Sequence, residues 1–287
     1  MKFRYCIVDI KGGFGNQLFQ YSFANHLKKL GYKVKVNNYF YFDLKHNNDL
    51  TYREEILSPS MFGFKIIKKS ERKILSLLKR IKDSKKLQKI NTLFLNKVFG
   101  YFKEKDLIDV KKILPISHFD GYWQDIDYLD TEFIKKTLFN IDEIKISINK
   151  DPIKNSNMIL VRRGDYIKMG QDLSIDFYRE CFEIISKFQK DPLINVFTDD
   201  ILWVKNNPLF NAATNIYGPE DSPEKVLSIF CKMIENENFF IGNSTFSYFA
   251  AILGKKENSK VFVADPWFRD RESKNLILKN WKTINNK

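Results

Sequence analysis

Apolar runs and amphipathic stretches alternate along the chain. β-Strands are predicted from short apolar runs at 3–10, 32–41, 118–123, 158–161, 194–198, 239–241 and 261–264. Helices are predicted from apolar positions at helical spacing over 18–30, 125–139, 176–190, 222–236 and 246–253. This alternation is typical of parallel sheets covered by helices, with ligands at the carboxyl ends of the strands. The pattern therefore predicts an α/β protein.

The length of the chain favours two domains. At 287 residues it exceeds most single α/β domains. A polar, proline-containing stretch at 145–156 interrupts the pattern, and the strand–helix cycle restarts after it. We expect one Rossmann-like domain over 1–150 and a second over 151–287.

Composition indicates a folded protein without a membrane span. Apolar residues make up 44% of the chain and aromatic residues 15%, which excludes general disorder. No apolar run reaches the roughly 18 residues of a spanning helix, so we expect a soluble protein. Cys6, Cys181 and Cys231 are odd in number and lack CxxC spacing. They predict neither a disulfide framework nor a zinc site, and they favour the reducing cytoplasm.

The net charge of +13 is concentrated in one stretch. Residues 65–112 hold sixteen Lys or Arg against five Asp or Glu, an excess of eleven. We interpret them as a basic helical insertion, because apolar residues recur there at helical spacing: Ile74, Leu77, Leu78, Ile81, Leu87, Ile90, Phe94 and Val98. Both a solvated helical hairpin and peripheral contact with an anionic membrane fit this pattern. Nucleic acid is not expected as a partner, since no RRM or zinc-finger signature is present.

Two motifs follow predicted strands and suit phosphate binding. The first, GGFGNQ at 12–17, is a glycine loop whose backbone amides and following helix can approach an anion closely. The second, RRGD, supplies Arg162 and Arg163, whose guanidinium groups can bind a diphosphate through paired hydrogen bonds. Asp165 is interpreted as a partner that holds one guanidinium. Together the motifs predict an enzyme that acts on a nucleotide sugar.

Each motif also has a plainer interpretation. A tight turn alone explains the glycine loop, which lacks the third glycine of GxGxxG because Leu18 stands there. The two arginines can instead form surface salt bridges, but adjacent arginines at a strand end are costly to leave unpaired, which favours contact with a ligand. Asn16 and Gln17 favour a ligand, since two amides at a helix start are well placed to bind one. A further phosphate cradle is predicted at the helix start formed by Asn243, Ser244 and Thr245.

No metal site is predicted. Asp125 and Asp127 form an Asp-X-Asp pair of the kind that holds a divalent ion in some sugar transferases. They precede a predicted helix, and capping of its first turn explains them better. His26, His46 and His118 lack a metal-ligand pattern and are interpreted as structural.

The order of the motifs resembles one known family. Segments 12–24, 121–125, 159–166, 197–200 and 242–251 are similar to successive motifs of bacterial α-1,2-fucosyltransferases, glycosyltransferase family 11. The resemblance covers essentially the full chain. It implies a GT-B type enzyme with two Rossmann-like domains that inverts the anomeric configuration and needs no metal or cofactor.

The resemblance also implies substrates and residue roles. The donor is GDP-fucose, bound by 151–287, and the acceptor is a glycan, with the 2-OH of galactose in a lipid-linked or surface-polysaccharide precursor, on the side of 1–150. Arg162 and Asp165 are the implied catalytic residues. Donor contacts are implied for Arg162, Arg163, Asn243, Ser244 and Thr245 at the phosphates, for Asp199 or Asp200 at the base or ribose, and for Gly13, Asn16 and Gln17 from the other domain.

One departure from the family pattern keeps the donor open. The family places histidine two residues before the first arginine, and this chain has Leu160 there. GDP-fucose is the first choice, and an L-rhamnosyl or other deoxy-sugar nucleotide is the alternative. A non-enzymatic lipid- or polysaccharide-binding protein and an NAD-type oxidoreductase are further alternatives. The general base is open as well, with Asp165, Asp172 and Asp176 as candidates by proximity in sequence alone.

Overall fold

Two compact units make up the chain. The computed structural model describes residues 5–42, 54–83, 99–104, 114–218, 223–268 and 275–286. The units are Met1–Ile134 and Lys135–Lys287. They divide before the predicted boundary at 150, because a helix at Asp142–Asn149 packs against the helix Pro223–Ile234 of the second unit.

The first unit is built on a parallel sheet. In the sheet the strands lie in the order β3-β2-β1-β5-β4. Their bounds are β1 (Tyr5–Asp9), β2 (Lys33–Asn37), β3 (Lys65–Ile66), β4 (Phe99–Lys103) and β5 (Ile116–Asp120), and the helices are α1 (Phe14–Lys29), α2 (Lys69–Asp83) and α3 (Thr131–Leu138), the last of which spans the division. Helix α1 begins before the predicted residue 18 because Gly13 is extended and serves as its N-cap. Gly31 follows its end with φ +87°, as expected of a glycine that terminates a helix.

The basic segment differs from the predicted helical insertion over 65–112. Its described part contains two strands, β3 and β4, besides helix α2, and the second predicted helix, 87–98, lies outside the described residues. Among the α2 side chains that are described, Leu75 packs in the core, whereas Ile74 and Leu77 are each 58% exposed. Successive residues of a helix are about 100° apart around its axis, so Leu75 faces the core while Ile74 and Leu77 point away from it.

The second unit is also built on a parallel sheet. Its strands lie in the order β11-β10-β9-β6-β7-β8. Their bounds are β6 (Ile153–Val161), β7 (Leu193–Thr198), β8 (Asn215–Tyr217), β9 (Asn236–Phe240), β10 (Val261–Asp265) and β11 (Lys282–Asn285), and the helices are α4 (Asp142–Asn149), α5 (Gly164–Lys168), α6 (Ile175–Phe188), α7 (Ile201–Asn206), α8 (Pro223–Ile234) and α9 (Thr245–Gly254). Two parallel α/β units confirm the Rossmann-like class and the two-domain architecture expected of a GT-B type enzyme.

The Asp-X-Asp pair caps a turn. Asp125 Oδ1 accepts a hydrogen bond from the backbone N–H of Asp127 (2.9 Å) at the start of a 3-10 turn over Ile126–Tyr128. The capping role of Asp125 is confirmed, although the predicted helix over 125–139 is split into this turn and α3.

Among the described residues, no helix has the length and apolarity needed to cross a membrane.

Candidate active site

The carboxyl ends of β6 and β7 bring the arginine motif and the acidic pair together. Val161 and Thr198 are partners in register, so the residues that follow them leave the sheet side by side. Parallel strands end at the same sheet edge, where ligands bind in α/β proteins. The predicted residues at 162–165 and 199–200 therefore form one cluster, while the glycine loop at 12–17 belongs to the first unit.

Arg162 is held between two carboxylates. Its Nη1 donates to Asp199 Oδ2 (2.5 Å), and its Nη2 donates to Asp165 Oδ1 (2.7 Å). Asp165 is thus the guanidinium partner that the sequence predicts. The guanidinium carbon also lies 5.2 Å from the ring centroid of Tyr166. Because a guanidinium carries five N–H donors, Arg162 keeps donors for a ligand.

Arg163 makes a different set of contacts. Its backbone N–H donates to Asp199 Oδ1 (2.7 Å), and its Nε donates to Asp200 Oδ2 (3.2 Å). Its guanidinium carbon lies 3.9 Å from the ring centroid of Trp203, whose own backbone N–H is capped by Asp200. These contacts fix the loop between β6 and α5. The diphosphate contact implied for Arg163 stays a prediction, as does the base or ribose contact of Asp199 or Asp200.

Carboxylates outnumber guanidinium groups in this cluster. Asp165, Asp199 and Asp200 hydrogen-bond to the two arginines, and Asp172 Oδ2 lies 3.9 Å from Arg163 Nη1. All four carboxylate side chains are between 14% and 33% exposed. The arginines are neutralised and oriented without a ligand. The cluster therefore offers an anion directed N–H donors rather than a local excess of positive charge.

Gly164 has a steric role that the sequence did not reveal. A Cβ at this position would lie 2.7 Å from Asp199 Oδ2, closer than a real Cβ contact allows. Only glycine lets the chain pass beside the carboxylate that holds Arg162. The glycine is visible in the RRGD motif, but the neighbour that excludes a side chain, Asp199, follows β7 and is distant in sequence.

The loop after β9 is tied to the arginine loop. Asn243 is 2% exposed, and its Nδ2 donates to the Gln171 carbonyl (2.8 Å). Tyr166 donates its hydroxyl proton to the Asn243 carbonyl (3.2 Å), and burial raises the pKa of Tyr166 against the opposing effect of Arg162, so the phenol stays protonated. The phosphate contact implied for the Asn243 side chain is not supported, because its amide group is turned into the protein.

Ser244 and Thr245 lie where the predicted phosphate cradle requires a helix start. Ser244 precedes α9 with extended backbone and is 5% exposed, and Thr245 is the first residue of the helix and half-buried. Gly242 enters this turn with φ +57°, which favours glycine. The phosphate contacts of Ser244 and Thr245 stay predictions.

In the glycine loop, the three predicted ligand residues have different surroundings. Gln17 is fully buried and bonds to backbone on both sides: Nε2 donates to the Gly12 and Glu54 carbonyls (3.1 and 3.2 Å), and Oε1 accepts from Leu57 N–H (3.1 Å). The side chain of Gln17 therefore holds the loop together, and its predicted ligand contact stays a prediction. Gly13 and Asn16 are half-buried and stay candidates, with Asn16 Oδ1 accepting from Gln124 Nε2 (2.7 Å).

The chain belongs to glycosyl transferase family 11, whose model matches residues 6–285. It is therefore a glycosyltransferase, which confirms the resemblance and argues against an oxidoreductase or a purely binding protein. It is 25% identical to the O-antigen biosynthesis glycosyltransferase WbnK of Escherichia coli, over 95% of this chain and 98% of that protein. It is also 25% identical to an alpha-1,2-colitosyltransferase of Escherichia coli, over 93% of each chain. The solved fucosyltransferase NodZ from Bradyrhizobium aligns with 14% identity and a TM-score of 0.42, over 88% of this chain and 94% of that one.

Gly164→Ala should impair glycosyl transfer. The new Cβ would displace Asp199 and with it Arg162, so we expect kcat/KM to fall at least about tenfold. Gly63→Ala is a suitable control, because Gly63 has φ +70° in open space of the first unit and its replacement should affect stability alone. Equal kcat/KM in the two variants would show that the Gly164–Asp199 contact has no catalytic consequence.

Proposed function

We propose that the protein is an inverting glycosyltransferase that moves L-fucose from GDP-fucose to a glycan hydroxyl, the 2-OH of galactose, in surface polysaccharide synthesis. Arg162 carries the proposal, because Asp165 and Asp199 fix its guanidinium plane and leave donors for a diphosphate. Two relatives support the setting, since one is named for O-antigen biosynthesis and the other for an α-1,2 linkage.

The transfer requires stabilisation of the leaving group, the diphosphate. The acceptor oxygen attacks the anomeric carbon while the bond from that carbon to the diphosphate breaks, and negative charge develops on the diphosphate. Fixed donors stabilise this charge better than water, because they need no reorganisation during the reaction. Arg162 has this property in the second unit, and the start of α9 at Ser244 and Thr245 is the second group that we assign to the phosphates.

Transfer should not require a metal ion. The described side chains form no group of three His, Cys, Asp or Glu suited to holding one. We expect transfer to continue in excess EDTA, and Asp127→Ala to keep kcat within a few-fold of the parent. Abolition of activity by chelation, with restoration by Mn²⁺ or Mg²⁺, would contradict the metal-free mechanism.

The donor sugar and its base have one alternative. Leu160 is 7% exposed within β6, and its apolar side chain offers no hydrogen bond at the position where the family pattern has histidine. One relative is named for transfer of colitose rather than fucose. An L-rhamnosyl or other deoxy-sugar nucleotide is therefore the second candidate donor.

Arg162→Lys should weaken donor binding. An ammonium keeps the charge but loses the planar fork, so we expect calorimetry to show GDP affinity reduced by about 1.5–3 kcal/mol for each charged hydrogen bond lost. Arg179→Lys is the matched control, since Arg179 is exposed on α6 and pairs with Asp176 outside the cluster. Unaltered GDP affinity in Arg162→Lys would remove this residue from the donor site. Tighter binding of dTDP than of GDP by the parent would overturn the guanine assignment.

We also propose that the first unit docks on an anionic membrane at the cytoplasmic face. Ile74 and Leu77 of α2 are exposed, as is Ile66 of β3 at 44%. The same helix exposes Lys73 and Arg80. Lysines that serve solubility alone do not need outward-facing apolar neighbours, whereas apolar side chains among cations suit insertion into an anionic interface.

Replacing the exposed apolar pair should weaken vesicle binding. For Ile74→Ser with Leu77→Ser we expect about tenfold weaker binding to phosphatidylglycerol vesicles in co-sedimentation, from lost apolar insertion. Leu202→Ser, at a residue 74% exposed in the second unit, is the control and should bind like the parent. Parental binding should weaken with salt and be absent on phosphatidylcholine. Equal vesicle binding by the double variant and the parent would mean that α2 is a solvated helix and does not dock on the membrane.

A further inference from the structure

Two loops leave the second sheet side by side. Strands β6 and β9 are parallel neighbours, with Ile159 opposite Phe240 in register. The arginine motif begins three residues after Ile159, and the turn into α9 begins two residues after Phe240. Because parallel strands end at one sheet edge, Arg162 and the start of α9 reach that edge together. They are the two groups that we assign to the donor phosphates.

Tyr166 connects the two loops. Its ring centroid lies 5.2 Å from the guanidinium carbon of Arg162, within the range of a cation–π contact. Its hydroxyl donates to the carbonyl of Asn243 (3.2 Å), the residue that precedes Ser244 at the N-cap of α9. One side chain of α5 thus contacts the guanidinium with its ring and the second loop with its hydroxyl.

Asn243 supplies a second connection. Its Nδ2 donates to the carbonyl of Gln171 (2.8 Å), and the backbone N–H of Gln171 donates to the carbonyl of Tyr166 (2.9 Å). Asn243 and Gln171 are each 2% exposed. Because breaking a hydrogen bond of a buried group leaves that group unsatisfied, these bonds fix the two loops relative to each other.

A steric contact also holds the two loops at a set spacing. A Cβ on Gly242 would lie 2.8 Å from Leu173 Cδ1, closer than a real Cβ contact allows. Leu173 is 5% exposed and belongs to the core of the second unit. The turn into α9 therefore packs closely against the segment that follows α5, and the two cannot approach further without a clash.

The strand pairing of the sheet does not require the hydroxyl of Tyr166. Strands β6 and β9 are already joined by their own pairing. None of the five residues of α5 belongs to the buried core, and Tyr166 is half-buried. The hydrogen bond from its hydroxyl therefore fixes the loops at the sheet edge rather than the packing of the core.

We propose that Tyr166 and Asn243 are positioning residues that fix the spacing between Arg162 and the start of α9, and that this spacing makes the site select a nucleoside diphosphate over a monophosphate. The inference rests on the proposed donor, whose two phosphates span both groups. A diphosphate binds both groups well only if their separation is already correct, because ordering them on binding would cost free energy. A single phosphate contacts one group at a time and does not depend on the spacing. The leaving group of the transfer is itself a nucleoside diphosphate, so the same spacing serves the reaction.

Tyr166→Phe tests the inference in the full chain. Phenylalanine keeps a ring for the Arg162 guanidinium and loses the hydroxyl that holds Asn243. We expect calorimetry to show GDP binding at least about fivefold weaker than in the parent, with GMP binding unchanged. The ratio of the two dissociation constants should therefore move toward one.

Tyr21→Phe is the matched control. Tyr21 is fully buried in the first unit, and its hydroxyl donates to the carbonyl of Leu57 (2.9 Å). The variant therefore loses the same kind of hydrogen bond outside the second unit. We expect a lower Tm together with parental Kd values for both GDP and GMP.

The possible outcomes separate this inference from the proposed function. Parental GDP affinity in Tyr166→Phe, or equal losses for GDP and GMP, overturns the positioning role of Tyr166, while transfer from GDP-fucose by the parent leaves the proposed function intact. Equal affinity of the parent for GDP and GMP overturns the selectivity. If the parent prefers dTDP, the same comparison is made with dTDP and dTMP. Binding of neither GDP nor dTDP by the parent overturns both the inference and the proposed function.

Asn243→Ala provides a second test should Tyr166→Phe fail to fold. It removes the Nδ2 donor to the Gln171 carbonyl and leaves Tyr166 in place. We again expect GDP affinity to fall at least about fivefold while GMP affinity stays at the parental value. Equal losses for the two nucleotides would mean that Asn243 supports the fold alone and would overturn its positioning role.

Discussion

The candidate site of the second unit depends on Asp199, whose two carboxylate oxygens accept separate hydrogen bonds. One carboxylate oxygen accepts from the Arg162 guanidinium and the other from the backbone N–H of Arg163. A partly buried guanidinium without a counter-charge would be strongly destabilising, so the end of β7 has to supply one. The same carboxylate requires Gly164 to lack a side chain. A single residue therefore sets the position of the motif arginine and the path of the loop.

The charge of the arginine cluster differs from the net charge of the whole chain. The chain carries +13 overall, yet its arginine cluster holds two guanidinium groups among four carboxylates. Preorganised donors, rather than excess charge, are what a developing diphosphate charge requires. The surplus cations lie mainly on the basic segment of the first unit, where long-range attraction to an anionic surface is the physical effect that they can exert.

The sequence predicts the seven inner strands of the two sheets, because buried parallel strands are continuous apolar runs bounded by polar loops, and it misses the edge strands β3, β4, β8 and β11. Long-range contacts account for most of what it misses. The Gln17 side chain is buried against backbone groups of Glu54 and Leu57, and no local sequence pattern predicts these contacts. In α2, spacing alone cannot decide which of Ile74 and Leu75 faces the sheet. Strand β4 lies in a segment whose lysines and apolar spacing resemble a helix, and its pairing with β5 overrides that local signal.

Separating the two carboxylate roles has a physical reason. A carboxylate that neutralises a guanidinium is a poor proton acceptor, because the cation that orients it also stabilises its charge. Asp165 and Asp199 are bound in this way, and they help Arg162 only while they remain ionised. The chemistry of leaving-group stabilisation and that of deprotonation thus call for different neighbours.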